Sequence, residues 1–292
     1  ALNESTDNVL GLLEDPNREG CWDRRGLVVG HVQSGKTGHY IGLACKAADA
    51  GYKVIIVLAG LHKNLRSQTQ VRLDEGFLGY ETPIGDHLSI IGAGDFDADP
   101  NIKPNSATNR LDDGDFKQAA ARHFAVTPEH RPWLFVVKKN KSVLTQLLSW
   151  ITHHVADSKD PETGRGVVTN LPLLLVDDEA DNASVDTGEE VVDENGVPDE
   201  EHQPTVINRL IRRILKAFTR SAYVGYTATP FANIFIHDRG NTRDEGPDLF
   251  PSAFILNQAA PSNYVGPARV FGRSEEGQRD GGLPLIRKVD DY

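Results

Sequence analysis

The chain has 292 residues, 39% hydrophobic and 25% charged, with a formal net charge of −11 at pH 7. That length can bury a full core, and no run of about 18 uncharged apolar residues is present to span a bilayer as a helix. Two cysteines, Cys21 and Cys45, make neither a disulfide framework nor a paired metal motif, and no basic n-region followed by an apolar stretch opens the chain, so the composition points to a reducing cytoplasm.

Residues 1–25 read as a lead-in. From there, apolar runs of strand length at 26–30, 54–59, 88–91, 133–137, 173–176 and 222–226 alternate with helix-length segments at 35–50, 64–73, 141–155 and 205–220. This is the pattern of βα units, and it predicts an α/β fold with a mostly parallel central sheet flanked by helices. In the segment 205–220, Ile207, Leu210, Ile211, Ile214, Leu215 and Phe218 form one stripe, while Arg209, Arg212, Arg213, Lys216 and Arg220 lie largely off it and read as a solvated basic face. Residues 92–114 and 186–204 have the composition of surface insertions. The second of these holds eight of the acids (Asp186, Glu189, Glu190, Asp193, Glu194, Asp199, Glu200, Glu201) and no Lys or Arg, so the rest of the chain is close to neutral and a basic groove is neither shown nor excluded. Beyond residue 239 periodicity fades. The expected organisation is one domain over 26–240 and the start of a further module over 241–292.

Three motifs carry chemistry. Gly30-His31-Val32-Gln33-Ser34-Gly35-Lys36-Thr37 satisfies G-x-x-x-x-G-K-[ST], directly after an apolar run and directly before a helical segment. In such a loop, backbone N–H groups of Gly30, Gln33, Ser34 and Gly35 close around phosphate oxygens, Lys36 reaches the outer phosphates, and the Thr37 hydroxyl meets Mg²⁺. Second, Leu173-Leu174-Leu175-Val176 runs into Asp177-Asp178-Glu179-Ala180-Asp181. Paired acids at the end of a buried strand are what nucleotide hydrolysis needs, one orienting the metal and one the attacking water. The assignment is Asp178 to the metal and Glu179 to the water, with a one-residue shift onto Asp177 and Asp178 as the alternative. Third comes Tyr226-Thr227-Ala228-Thr229-Pro230, a Thr-rich turn that is weak alone and informative in this order. His31 is incidental, and Asn182 and Ser184 after the acidic box are read as turn residues.

Taken together, these motifs resemble those of superfamily 2 helicases and translocases, which implies a RecA-like domain binding ATP and Mg²⁺. On that resemblance Thr227 and Thr229 would couple the acidic box to a nucleic-acid groove, and Arg66 and Gln68, after Gly60-Leu61-His62, would fall where the superfamily contacts the nucleic-acid backbone. The stretches VQSGKTGHYIGLACKAADAGYKVIIVLAG, LRSQTQVRLDEGFLG, LFVVKKNKSVL, LLLVDDEADNAS, YVGYTATPFANIF and DLFPSAFI further resemble the ATPase part of bacterial Z1-domain proteins, often labelled endonucleases and found in antiphage gene clusters. This likeness covers most of residues 20–272. It implies a bacterial, cytoplasmic ATPase directed to DNA, duplex by analogy, working with a nuclease, a methyltransferase or a second ATPase, and it makes Lys138, Lys139 and Asn140 candidates to line the groove. The superfamily closes its ATP site with arginines from a second RecA-like domain, for which too few residues follow Thr229, so this chain is expected to bind nucleotide and hydrolyse it poorly. Residues 198–201, Pro-Asp-Glu-Glu, lack the lysine of a nuclease constellation. Two other readings stay open, a nucleotide-gated interaction switch and the ATPase part of an endonuclease.

Overall fold

The computed structural model describes residues 2–31, 35–83, 85, 87–97, 99, 101–121, 123, 124, 126, 127, 131–185, 206–236, 245–259, 265, 270–275 and 278–280. The acidic stretch 186–204 lies outside them. The chain divides into two units, residues 1–258 and 259–292.

In the first unit the elements follow as α1 (Leu2–Leu12), β1 (Trp22–Val29), α2 (Lys36–Ala50), β2 (Val54–Ala59), α3 (Lys63–Leu73), β3 (Asn105–Ser106), α4 (Gln118–Ala121), β4 (Trp133–Val137), α5 (Lys141–Trp150), β5 (Ser158–Lys159), β6 (Gly166–Val167), β7 (Leu173–Asp178), α6 (Val206–Lys216), β8 (Arg220–Thr227), α7 (Phe231–Ile234) and β9 (Phe254–Asn257). Seven strands form one sheet in the order β3-β4-β2-β7-β8-β1-β9, and every adjacent pair is parallel. The strands β5 and β6 make a separate antiparallel ladder. In the second unit, β10 (Arg273–Glu275) pairs antiparallel with β11 (Gln278–Asp280).

The central strands are apolar on both faces because helices cover both, as buried parallel sheets require. The twofold alternation of a strand divides their side chains. Ile55, Val57, Leu174, Val176, Ala222 and Val224 pack with Tyr40, Leu43 and Ala47 of α2 and Val9 of α1. Ile56, Leu58, Leu173, Leu175 and Tyr223 pack on the other side with Leu144 and Leu147 of α5 and Ile211 and Ile214 of α6. No helix among the described residues is long and apolar enough to cross a membrane.

Several elements differ from the sequence expectation. Residues 88–91 contribute only an isolated bridge, Ile90 to Tyr80, and join no strand of the sheet. The helix expected through residue 155 ends its α-helical part at Trp150 and widens into a π-helical turn, Ile151–Val155. The helix expected to reach residue 220 stops at Lys216, so Arg220 belongs to β8. The basic face of α6 is not all solvated: Arg212 is buried and donates to Asn208 Oδ1 at 3.4 Å and to Gly246 O, and Arg213 pairs with Glu245 at 2.7 Å. Sheet structure also continues past residue 240, because β9 pairs with β1 over Gly26–Val29. Phe254 lies over Gly26 so closely that a Cβ there would sit 2.0 Å from the ring, which requires glycine at that position.

Candidate functional site

All seven strands point the same way, so their carboxyl ends share one edge, where ligands of open α/β sheets bind. At the end of β1, Gly30 N–H donates to Thr227 O at 2.9 Å, so the glycine loop leaves the sheet beside β8. Gly35 takes φ 86°, a left-handed conformation that strains any other residue, and so turns the chain into α2 at Lys36. The first turn of that helix offers unpaired N–H groups and the positive end of its dipole. Lys36 Nζ folds back over the loop, donating to Gly30 O at 3.2 Å and His31 O at 3.1 Å. Neutral carbonyls are weaker partners for an ammonium than a phosphate oxygen. Val32, Gln33 and Ser34 lie outside the described residues.

The alternation along β7 separates the two adjacent aspartates. Asp177 shares the face of Leu173 and Leu175 and is fully buried. Its carboxylate accepts from Tyr223 Oη at 2.7 Å and lies 2.7 Å from Lys139 Nζ, a close ion pair that is off-axis for a hydrogen bond. Asp178 shares the face of Leu174 and Val176, where α2 packs, and accepts from Tyr40 Oη at 3.2 Å. Burial pushes its carboxyl above the usual carboxylate range and the charge of Glu179 adds to this, while the Tyr40 hydrogen bond opposes them.

Glu179 turns the chain away from the sheet at φ 55°, which costs a non-glycine residue about 1 kcal/mol. The turn is fastened from below and from the side. Lys139 Nζ donates to Glu179 O at 2.6 Å and Asn182 O at 3.0 Å, Ala180 N donates to Tyr226 O at 3.0 Å, and Asn233 Nδ2 donates to Ala180 O at 3.0 Å. Asp181 then accepts from Thr227 Oγ1 at 2.7 Å and from Thr229 Oγ1, joining the acidic box to the Thr-rich turn.

Gly35, Lys36, Thr37, Asp178, Glu179 and Thr229 thus line one cleft of about 990 Å³. Glu179 and Thr229 are exposed, and Thr227 is buried at the rim. No cluster of three or more His, Cys, Asp or Glu among the described residues could hold a metal by itself. The Thr37 hydroxyl and the Asp178 carboxylate are hard oxygen donors of the number a Mg²⁺ carried on nucleotide phosphates needs from a protein.

Other residues singled out in the sequence are placed differently. Arg66 is buried, and its guanidinium donates to the carbonyls of Asn109 (2.8 Å), Gly114 (3.4 Å) and Leu111, so it presents no donor to a nucleic-acid backbone. Lys139 sits beneath the acidic box rather than in a groove, and Asn140 caps α5 by accepting from Ser142 N at 3.0 Å. Lys138 lies 4.0 Å from Asp115. Gln68 is exposed and lines a small cavity with Thr37, Gly60, Asp178 and Glu179. Ser184 is buried, and its carbonyl accepts from Asn208 Nδ2 at 2.9 Å.

Sequence reasoning passed over Tyr40, Arg72 and Asn233. The first two carried a usable signal, since Tyr40 lies four residues after Lys36 and Arg72 four after Gln68, on one side of their helices. No family model matches the chain, and no curated protein is similar enough to count as a relative.

Proposed function

We propose that the chain is the RecA-like, ATP- and Mg²⁺-binding motor domain of a superfamily 2 helicase or translocase-like protein, hydrolysing ATP in response to DNA within a bacterial antiphage system. The observation that carries the nucleotide part is convergence: three motifs about 145 and 50 residues apart meet at the carboxyl edge of one parallel sheet, around one cleft. In this reading Lys36 leaves the Gly30 and His31 carbonyls for the outer phosphates, and Asp178 and Thr37 hold the metal. Glu179, on its fastened turn, orients the attacking water and takes its proton. The bound Mg²⁺ would neutralise phosphate charge as it develops. Asp181, through Thr227 and Thr229, ties the state of this acidic turn to the exposed edge beyond β8.

The DNA part rests on the resemblance. A second reading, a nucleotide-gated protein-interaction switch, gains from the burial of Arg66 and Lys139, two cations that would otherwise serve a polyanion. Calorimetry with ATP and Mg²⁺, wild type beside Lys36→Ala, tests the common core: the variant is expected to lose affinity about a hundredfold, and equal affinity in the two would sink the proposal. ATPase turnover with and without duplex DNA then separates motor from switch.

A further inference from the structure

The helix α3 carries two arginines with opposite surroundings. Arg66 is buried and occupied by carbonyls. Arg72, in the last turn, is exposed and reaches across to the start of α2, where Nη1 donates to Thr37 Oγ1 at 3.1 Å. Among the described residues this neutral hydroxyl is its one hydrogen-bond partner, although a guanidinium has five donors. Arg72 lines both the main cleft and the smaller cavity beside it, each of which also contains Thr37, Asp178 and Glu179. The π-helical turn Asp74–Leu78 follows directly and fixes the end of the helix through Asp74, which is buried and accepts from Gln70 Nε2 at 2.9 Å and Thr82 N at 3.0 Å. Turns of this kind recur at functional sites.

We infer that Arg72 contacts the terminal phosphate of a bound nucleoside triphosphate and lets the site distinguish it from the diphosphate. The inference rests on the nucleotide reading given above. The Thr37 hydroxyl cannot serve a guanidinium and a divalent cation together without bringing two positive charges into contact, so Arg72 must release it when metal and nucleotide enter. The nearest new anion on the side of Asp178 and Glu179 is the outermost phosphate, whose planar-fork partner of choice is arginine. This arginine comes from inside the domain and acts without a second domain closing over the site.

The test measures affinities of wild type, Arg72→Ala and Arg72→Lys for ADP and for a non-hydrolysable ATP analogue, both with Mg²⁺, by calorimetry, with thermal melting as a check on folding. Wild type is expected to prefer the triphosphate. Arg72→Ala is expected to lose about tenfold to a hundredfold in triphosphate affinity with the diphosphate unchanged, and Arg72→Lys to recover part of it. An equal loss for both nucleotides would make Arg72 a support of the loop and overturn the inference, as would no loss for either. Wild type binding neither nucleotide would instead bring down the nucleotide reading, and this inference with it.

Discussion

Asp177 and Asp178 are neighbours in the chain and inhabit different environments. On one side of β7 the Asp177 carboxylate is sealed beneath the sheet edge with Lys139 and Tyr223, with no exposed side-chain surface on either member of the ion pair. On the other side Asp178 is half-buried, opens on the cleft, and accepts from two neutral donors, the Tyr40 hydroxyl and the Glu179 N–H at 3.1 Å. The first pocket of charge is closed and complete, and the second is open and short of positive charge. A closed pair holds a shape, because each charge is compensated where it stands. The open one can accept a ligand, because its compensation comes from outside. Lys139 links the two: it pairs with Asp177 and fastens the carbonyls of the turn that presents Glu179.

Breaking the closed side should have the largest effect. Lys139→Ala leaves Asp177 buried without its counter-ion and is expected to destabilise the fold by about 3–5 kcal/mol in denaturant unfolding. Adding Asp177→Leu to a Lys139→Met background should restore part of that loss but not the hold on the Glu179 turn. On the open side, Tyr40→Phe removes a hydrogen bond to a charged acceptor, worth about 1.5–3 kcal/mol. That bond favours the ionised form, so its loss moves the already raised Asp178 carboxyl higher still. The pH below which Mg²⁺-nucleotide affinity falls should therefore rise in the variant, and superimposable affinity–pH curves would refute the assignment.

The smallest effect is expected at His39, behind the cleft, which lies between Ser5 Oγ at 2.9 Å on Nε2 and Tyr226 Oη at 2.9 Å on Nδ1. Burial lowers its pKa below the ordinary value, a hydrogen bond with the Ser5 backbone works the other way, and the Lys46 charge lowers it further. The unfolded chain then binds more protons at this site than the folded one, so its contribution to stability is lost as pH falls below the ordinary histidine pKa of about 6.5. Melting temperature measured from pH 8 to pH 5 should fall less steeply in His39→Gln than in wild type.

How much of this was legible in the sequence depended on whether the cause was local. The strands 54–59 and 133–137 were read with the bounds they have, because each is a continuous apolar run between turn residues. The glycine loop, the acidic box and the Thr-rich turn were each recognisable by order and spacing. The two aspartates were harder. Twofold alternation says that they face opposite ways, but which face carries α2 is decided by the path of the chain, and no residue near 177 encodes it. Arg66 and Lys139 misled for the same reason: a cation at a helix start or strand end reads as surface, and what buries these two are carbonyls some 40 residues distant in the chain. Residues 88–91 had the composition of a strand, but Ile90 meets Tyr80 in an isolated bridge instead of joining either edge of the sheet. The short β9 had too few residues to announce itself.

That last strand has a practical consequence. In the sheet order, β1 lies between β8 and β9, so the strand that feeds the glycine loop is enclosed on both sides only when Phe254–Asn257 is present. A shortened version stopping near residue 240 would turn Gly26–Val29 into a raw sheet margin, an apolar row of unpaired amides and carbonyls inviting a second chain to add itself there. Self-association would then begin beside the glycine loop, and a boundary drawn where the periodicity fades would yield a protein that clumps next to its main cleft.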